Sequence, residues 1–181
     1  MCGIAGYFGK KFLDETLIER TLKALHHRGP DSNGSYHFCD NYSNKLYLLH
    51  TRLNIIDVEK RSNQPYRLGA YTLIFNGEIY NHKALKIKLE NQFGSLPWKG
   101  NSDSEVLLAC IQQFGIYKTL EELVGMFAIS LLDKKENKLY LARDRFGEKP
   151  LYYGRVNKSF LFASELISIR NYDNFNNQFS E

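Results

Sequence analysis

Met1-Cys2-Gly3-Ile4-Ala5-Gly6-Tyr7-Phe8-Gly9 opens the chain, and residues 2–8 of it alternate. Gly3, Ala5 and Tyr7 fall on one side, with Cys2, Ile4, Gly6 and Phe8 on the other, the period-two pattern of a strand. Removal of the initiator methionine would leave Cys2 as the N-terminal residue, carrying a thiol and a free α-amine. An unperturbed α-amine titrates at about 7.7–8.0, so it can take the thiol proton directly or through a water. A nucleophile served by its own N-terminal amine needs no histidine partner. The competing role for Cys2 is that of a small apolar residue buried in a strand.

Outward from this strand, elements alternate. Leu17, Ile18, Leu22 and Leu25 sit near helical spacing within residues 14–27, and Arg28-Gly29-Pro30-Asp31 ends that helix. Two β runs follow, Gly34 to Cys39 and Lys45 to Leu49, joined by the turn-rich residues 40–44. A strand over Tyr71 to Phe75 is predicted to end at Asn76-Gly77, a turn dipeptide. Leu85, Leu89 and Phe93 mark one face of a second helix. Ser102-Asp103-Ser104-Glu105 reads as a capping box, with Ser102 accepting from the first-turn amides and Glu105 reaching back. It opens a third helix that turns Val106, Leu107, Cys110, Ile111 and Phe114 inward. The last third reads as all-β: residues 127–132 and 138–142 flank the polar loop 134–137, and 150–153 pairs with 160–163. Residues 171–181 are Asn-rich and read as a tail or the start of a linker. The result is an α+β domain over residues 1–170 with several antiparallel hairpins and no internal repeat.

The chain has 181 residues, enough for one domain, and 43% hydrophobic residues, enough for a core. Its net charge of +4 is spread over distant lysines, whereas a nucleic-acid binder concentrates charge on one face, so no nucleic-acid partner is expected. No apolar run approaches the roughly 18–20 residues of a membrane helix, and the N-terminus lacks the features of a signal peptide. Three cysteines with no CxxC argue against a disulfide framework and a structural zinc site, and fit a reducing cytoplasm. His26-His27 and His50 raise a metal or a Cys–His pair, yet there is no HExxH. Adjacent histidines at a helix end are expected on its terminal carbonyls. No metal is expected. Gly3, Gly6 and Gly9 form neither a dinucleotide fingerprint nor a phosphate loop.

A thiolate attacking an amide creates an oxyanion that needs donors placed beforehand. Asn76 offers a carboxamide and Gly77 an unobstructed backbone N–H, although Asn-Gly by itself is first a turn. Arg52 can fork onto a carboxylate and Asp103 can meet an ammonium, so the pair could hold an α-amino acid by both ends. Taken singly, Arg52 reads as a surface ion-pair residue and Asp103 as an acidic first-turn residue favoured by the helix dipole.

In order, Met-Cys-Gly-Ile-Ala-Gly, His-His-Arg-Gly-Pro-Asp, Arg-Leu-Asn-Ile-Ile-Asp, Asn-Gly-Glu-Ile-Tyr-Asn-His, Ser-Asp-Ser-Glu, Gly-Met-Phe-Ala-Ile, Ala-Arg-Asp-Arg-Phe-Gly-Glu-Lys-Pro-Leu-Tyr-Tyr and Phe-Ala-Ser-Glu-Leu run through residues 1–168. This series resembles the class II glutamine amidotransferase domain, a branch of the N-terminal nucleophile hydrolases. The runs from Arg52 and from Asn76 resemble the asparagine synthetase branch; the glucosamine 6-phosphate branch usually has Trp after the Arg. The resemblance implies a four-layer αββα sandwich. It also implies that Cys2 forms a γ-glutamyl thioester from L-glutamine and releases ammonia, with Asn76 and Gly77 as the oxyanion hole. Arg52 would bind the substrate α-carboxylate, Asp103 with help around Glu78 the α-ammonium, and backbone near Ile55 and Ile56 would line the pocket. Asn54 stands where Ser or Ala is usual, and residues 59–64 are unusually charged.

Relatives in that branch continue into a synthetase domain with a Ser-Gly-Gly-x-Asp-Ser phosphate loop, a motif that does not occur here. The expectation is a glutaminase domain alone, excised or a separate subunit, working with a synthetase domain in cis or in trans. It would need no cofactor of its own; ATP and magnesium belong to the synthetase domain. A homo-oligomer is compatible with the sequence. The alternatives are a non-catalytic glutamine-binding or ammonia-donor module, and an N-terminal nucleophile hydrolase for another amide.

Overall fold

A computed structural model of the chain describes residues 1–55 and 57–172. Its elements, in order, are β1 (Gly3–Gly9), α1 (Glu15–Leu25), β2 (Ser32–Cys39), β3 (Lys45–Arg52), β4 (Tyr66–Leu68), β5 (Tyr71–Ile79), α2 (His82–Phe93) and α3 (Asp103–Phe114), followed by α4 (Ile116–Glu122), β6 (Gly125–Asp133), β7 (Lys138–Arg143), β8 (Tyr152–Val156), β9 (Ser159–Ala163) and α5 (Leu166–Arg170). The strands form two antiparallel sheets, β2-β3-β1-β9-β8 and β4-β5-β6-β7.

Strand alternation builds the layers. From the first sheet, Ala5, Tyr7, Tyr47, Leu49, Leu161 and Ala163 turn one way, onto Leu17, Ile18 and Leu25 of α1 and Ile169 of α5. Ile4, Leu46, Leu48 and Phe162 turn the other way and meet Ile74, Ala128 and Leu132 of the second sheet. The far face of the second sheet, with Leu73, Phe75, Ile79, Phe127, Ile129 and Leu131, packs on Leu85, Leu89, Leu107, Leu108 and Ile111 of α2 and α3. Three apolar seams therefore hold four layers in the order αββα. Each fully buried Leu or Ile contributes about 1.5–3 kcal/mol by leaving water, and Leu48 and Ile74 in the middle seam are completely buried.

Several local expectations are corrected. Asn76-Gly77 is not a turn: β5 runs through it to Ile79, with Asn76 opposite Ala128 and Gly77 opposite Phe127 of β6. A nine-residue ladder over a buried face outweighs the dipeptide's turn preference. Ser102 Oγ does accept the Glu105 N–H at 3.2 Å, but the Glu105 carboxylate turns to the Lys99 and Gly100 amides at 2.8 and 2.9 Å instead of reaching back to Ser102. Beyond residue 115 the chain also holds α4 and α5, so that third is not all-β. β3 extends to Arg52, and β8 begins at Tyr152 and pairs with β9. Phe93 is largely exposed at the end of α2. His27 Nε2 lies 2.9 Å from Glu165 Oε1, a side-chain partner in place of a helix carbonyl. Tyr172 is buried and stacks on Tyr7 with ring centroids 5.9 Å apart, so the packed chain reaches at least residue 172. The rest of the expected tail, 173–181, lies outside the described residues. No helix among the described residues is long and apolar enough to cross a membrane.

Candidate active site

Cys2 precedes β1 in the first sheet, while Asn76 and Gly77 lie on β5 of the second and Asp103 opens α3. These elements converge on a cavity of about 90 Å³ lined by Cys2, Arg52, Ile55, Asn76, Gly77, Glu78 and Asp103, together with Met1, Gln64, Ser104, Met126 and Lys149. Every site residue expected from the sequence is therefore in one place except Ile56, which lies outside the described residues.

Strand geometry aims the donors. In an antiparallel ladder the N–H and C=O of a residue point to the same edge, and alternate residues point to opposite edges. The Phe75 N–H leaves the ladder for Gln64 Oε1 at 2.6 Å, and the Ile79 N–H leaves it for Asp103 Oδ2 at 3.0 Å. Gly77 lies between them, so its N–H points to that same edge. Its partner Phe127 agrees: its N–H donates to Asp144 Oδ2 at 3.2 Å and its carbonyl accepts the Asp144 N–H at 2.9 Å, both away from Gly77. β4 covers β5 only at residues 71–73, which leaves the edge beside Gly77 open to the cavity. Gly77 must be glycine here, because a Cβ would lie 2.2 Å from Met126 O and 2.7 Å from Phe127 Cα.

Asn76 is completely buried, and among the described residues neither its Nδ2 nor its Oδ1 has a hydrogen-bond partner. Buried polar groups are normally paired; a carboxamide kept unpaired at a cavity wall is a donor waiting for a ligand oxygen. Asp103 is 6% exposed; its Oδ2 accepts the Ile79 N–H at 3.0 Å, and the Ser104 hydroxyl lies 3.5 Å from its Oδ1. Burial pushes its carboxyl above the usual range, against the opposing pull of the Ile79 N–H and His82. It has no cation partner among the described residues. Arg52, 5% exposed, donates from Nη1 to Glu59 O at 3.1 Å and Asn63 Oδ1 at 2.7 Å and from Nη2 to Asp57 O, which pins the loop after β3 around the guanidinium. Ile55, 70% exposed, stands at the rim of the cavity.

Cys2 Sγ lies 3.9 Å from Leu53 O. Burial pushes the thiol up, more than the Leu53 contact and nearby positive charges pull it down. Such a thiol stays protonated at neutral pH without a base. His50 is not that base: it is wholly buried between the sheets, Nε2 is 3.2 Å from Phe75 O, and burial lowers its pKa to about 3. The amine of Met1, which precedes Cys2 here, is lowered first by burial and then by Arg28 and Lys149, with Cys2 and Asp31 opposing. Arg28 Nε donates to Cys2 O at 3.1 Å and its Nη1 to Glu165 Oε1 at 2.7 Å, which fixes the backbone of Cys2. Among the described residues no cluster of three or more His, Cys, Asp or Glu side chains is placed to hold a metal.

Sequence reasoning did not give roles to Gln64, Arg28, Asp144 or Lys149. Gln64 reaches the Phe75 amide across 11 residues and Asp144 the Phe127 amide across 17, a kind of contact no periodicity carries.

The family model for the glutamine amidotransferase domain matches residues 1–181. The chain belongs to that family. It is 40% identical over 176 residues to asparagine synthetase (glutamine-hydrolysing) 1 of Bacillus subtilis strain 168, covering 93% of this chain and 26% of that protein. It is 34% identical over 184 residues to amidase chry2 of Gibberella zeae, covering 93% of this chain and again 26% of the relative. The chain thus spans about a quarter of the length of each. Among solved structures, the glutamine phosphoribosylpyrophosphate amidotransferase of Bacillus subtilis aligns with a TM-score of 0.75 at 23% identity, over 93% of this chain and 43% of that one. That likeness shows the αββα fold, and the glutamine-hydrolysing asparagine synthetases are relatives that the sequence resembles.

Proposed function

We propose that this domain hydrolyses L-glutamine to L-glutamate and ammonia. The observation that carries the reading is the convergence of the Gly77 N–H and the unpartnered Asn76 carboxamide on the cavity that Cys2 enters from the other sheet. With Met1 removed, the Cys2 α-amine takes the Sγ proton as Sγ bonds to the amide carbon. The carbonyl oxygen gains its negative charge between Asn76 Nδ2 and the Gly77 N–H. The amine returns the proton to the departing nitrogen, the C–N bond breaks, and ammonia leaves a γ-glutamyl thioester. Water, deprotonated by the same amine, then attacks the thioester, and glutamate departs as Sγ recovers its proton.

Asp103 would meet the substrate α-ammonium, with Glu78 adding negative potential, and Arg52 with backbone around Ile55 and Ile56 the α-carboxylate. An amide lacking either charge would leave a buried partner unpaired, which is a strong basis for rejection. The half-reaction uses protein groups and water. ATP and magnesium would act on the acceptor, in a synthetase domain in cis or in trans that takes up the ammonia. The acceptor is left open, since the relatives' names differ: one is an asparagine synthetase and another an amidase. A free-thiol nucleophile suits a reducing compartment, the cytoplasm.

The test is glutamate release from L-glutamine by Met1-free protein beside Cys2→Ala. Release by the wild type alone supports the reading. Glutamine binding without release by either would make the domain a binding module.

A further inference from the structure

Lys149, in the turn between β7 and β8, is 4% exposed and yet has no carboxylate partner among the described residues. Its Nζ lies 3.0 Å from the Met1 thioether sulfur, a weak acceptor, in the same cavity as Cys2, Asn76 and Gly77. An ammonium buried without an oxygen acceptor is unfavourable, so packing stability does not account for a lysine here. The backbone holds it in place from both sides: its N–H donates to Asp144 Oδ2 at 3.0 Å, and its carbonyl accepts from Arg143 Nε at 2.6 Å. Asp144 is itself anchored on Phe127, the residue opposite Gly77. Lys149 is therefore aimed at the chain's first residues by the same strand pair that aims the oxyanion donor.

The charges around that N-terminus come from several elements. Arg28, from the turn after α1, contacts Cys2 O, but Glu165 offsets its charge at 2.7 Å. Asp31 faces the amine and accepts the Asn54 N–H at 2.7 Å. The Cys2 thiol is adjacent, and Arg52, Asp103 and Glu78 lie across the cavity. Within this set Lys149 is a buried positive charge with no offsetting carboxylate.

We propose that Lys149 is a positioning residue for the N-terminal amine: its ammonium opposes a second positive charge on the processed Cys2 amine and so keeps that amine in the neutral form that accepts the thiol proton. This rests on the glutaminase reading for its consequence, though not for its electrostatics. The Met1 amine, one residue before the amine that processing would free, is lowered by burial, with Arg28 and Lys149 acting in the same direction and Cys2 and Asp31 opposing, which supports it beside the cavity that Lys149 shares with Cys2.

The test compares Met1-free wild type with Lys149→Gln, Lys149→Met and Lys149→Arg. Activity should rise with pH as the amine loses its proton. Removing the Lys149 charge should move this acid limb upward, so that kcat/KM falls about tenfold at a pH below the limb and converges with wild type above it. Lys149→Arg should leave the limb where it is. An unchanged limb in Lys149→Gln and Lys149→Met, with activity either intact or lowered uniformly at every pH, would overturn the proposal. A second readout needs no turnover: the 13C-cysteine NMR signals of Cys2, followed against pH. If nothing is hydrolysed but the Cys2 titration moves upward in Lys149→Gln, the glutaminase reading fails and the inference on Lys149 stands. If the titration does not move, the inference fails.

Discussion

Asp103 Oδ2 accepts the N–H of Ile79 at 3.0 Å, two residues past Gly77 on β5. One carboxylate thereby caps an amide on the edge to which the Gly77 N–H points and also lines the cavity. The Gly77 N–H and the Asp103 carboxylate are held at the same strand end, so moving one moves the other.

Gly77→Ala tests how tightly that strand is packed. The new Cβ would meet backbone, Met126 O at 2.2 Å and Phe127 Cα at 2.7 Å, which cannot swing aside. The expected cost is about 1–3 kcal/mol of stability by urea unfolding, as for overpacking elsewhere, with glutamate release lost as β5 and β6 separate.

Asn76→Ala should divide function from stability. Its carboxamide has no partner among the described residues, so unfolding free energy should change by no more than about 1 kcal/mol. Loss of an oxyanion donor should lower kcat about 10²–10³-fold. Parallel melting and glutamate assays check both.

Asp103→Asn keeps an acceptor for the Ile79 N–H and removes the charge. The KM for L-glutamine should rise roughly a hundredfold, the loss of one member of a buried charge pair, with a smaller effect on kcat. Stability should move the other way. Burial raises the folded-state pKa above the ordinary 3.8, so the folded chain binds the proton more tightly, and wild-type stability falls as pH rises through that window. The variant should melt higher than wild type at neutral pH, and the gap should close below about pH 4. Melting curves at the two pH values decide it.

Asp144→Asn should be destabilising, with the opposite pH sign. Burial works against the Asp144 carboxylate, but the amides of Lys149, Glu148, Phe127 and Phe146 outweigh it and hold the carboxyl below the usual range. Its contribution is present above the unfolded-state pKa and is lost as pH falls through the depressed one. Loss of these charge-assisted bonds should cost about 2–3 kcal/mol at neutral pH, by denaturant unfolding.

The three thiols should separate under iodoacetamide. Cys39 is exposed and should react first. Cys110, buried in α3 and pushed up to about 12 by burial, should react only on unfolding. Cys2 should fall between them and be the one that L-glutamine protects, as read by mass spectrometry of the labelled peptides.

The sequence alone determined the nucleophile's position, the period-two strand that carries it, and the order of motifs pointing to Cys2, Arg52, Asn76, Gly77 and Asp103, because these are properties of neighbouring residues or of a linear series. The tertiary structure decided the rest. Asn76-Gly77 read locally as a turn and became mid-strand because pairing with β6 is a contact between segments some fifty residues apart, invisible to local preference. Which way the Gly77 N–H points is set by the register of β5 on β6, while Gln64 and Asp103 satisfy the amides on either side that point to the same edge. The lysine in the run Arg143 to Tyr153 had no role of its own in the sequence, because its meaning comes from the absence of a carboxylate around it. Strand identity follows from side-chain pattern. The direction of a backbone donor and the isolation of a charge are set by what the rest of the chain brings alongside.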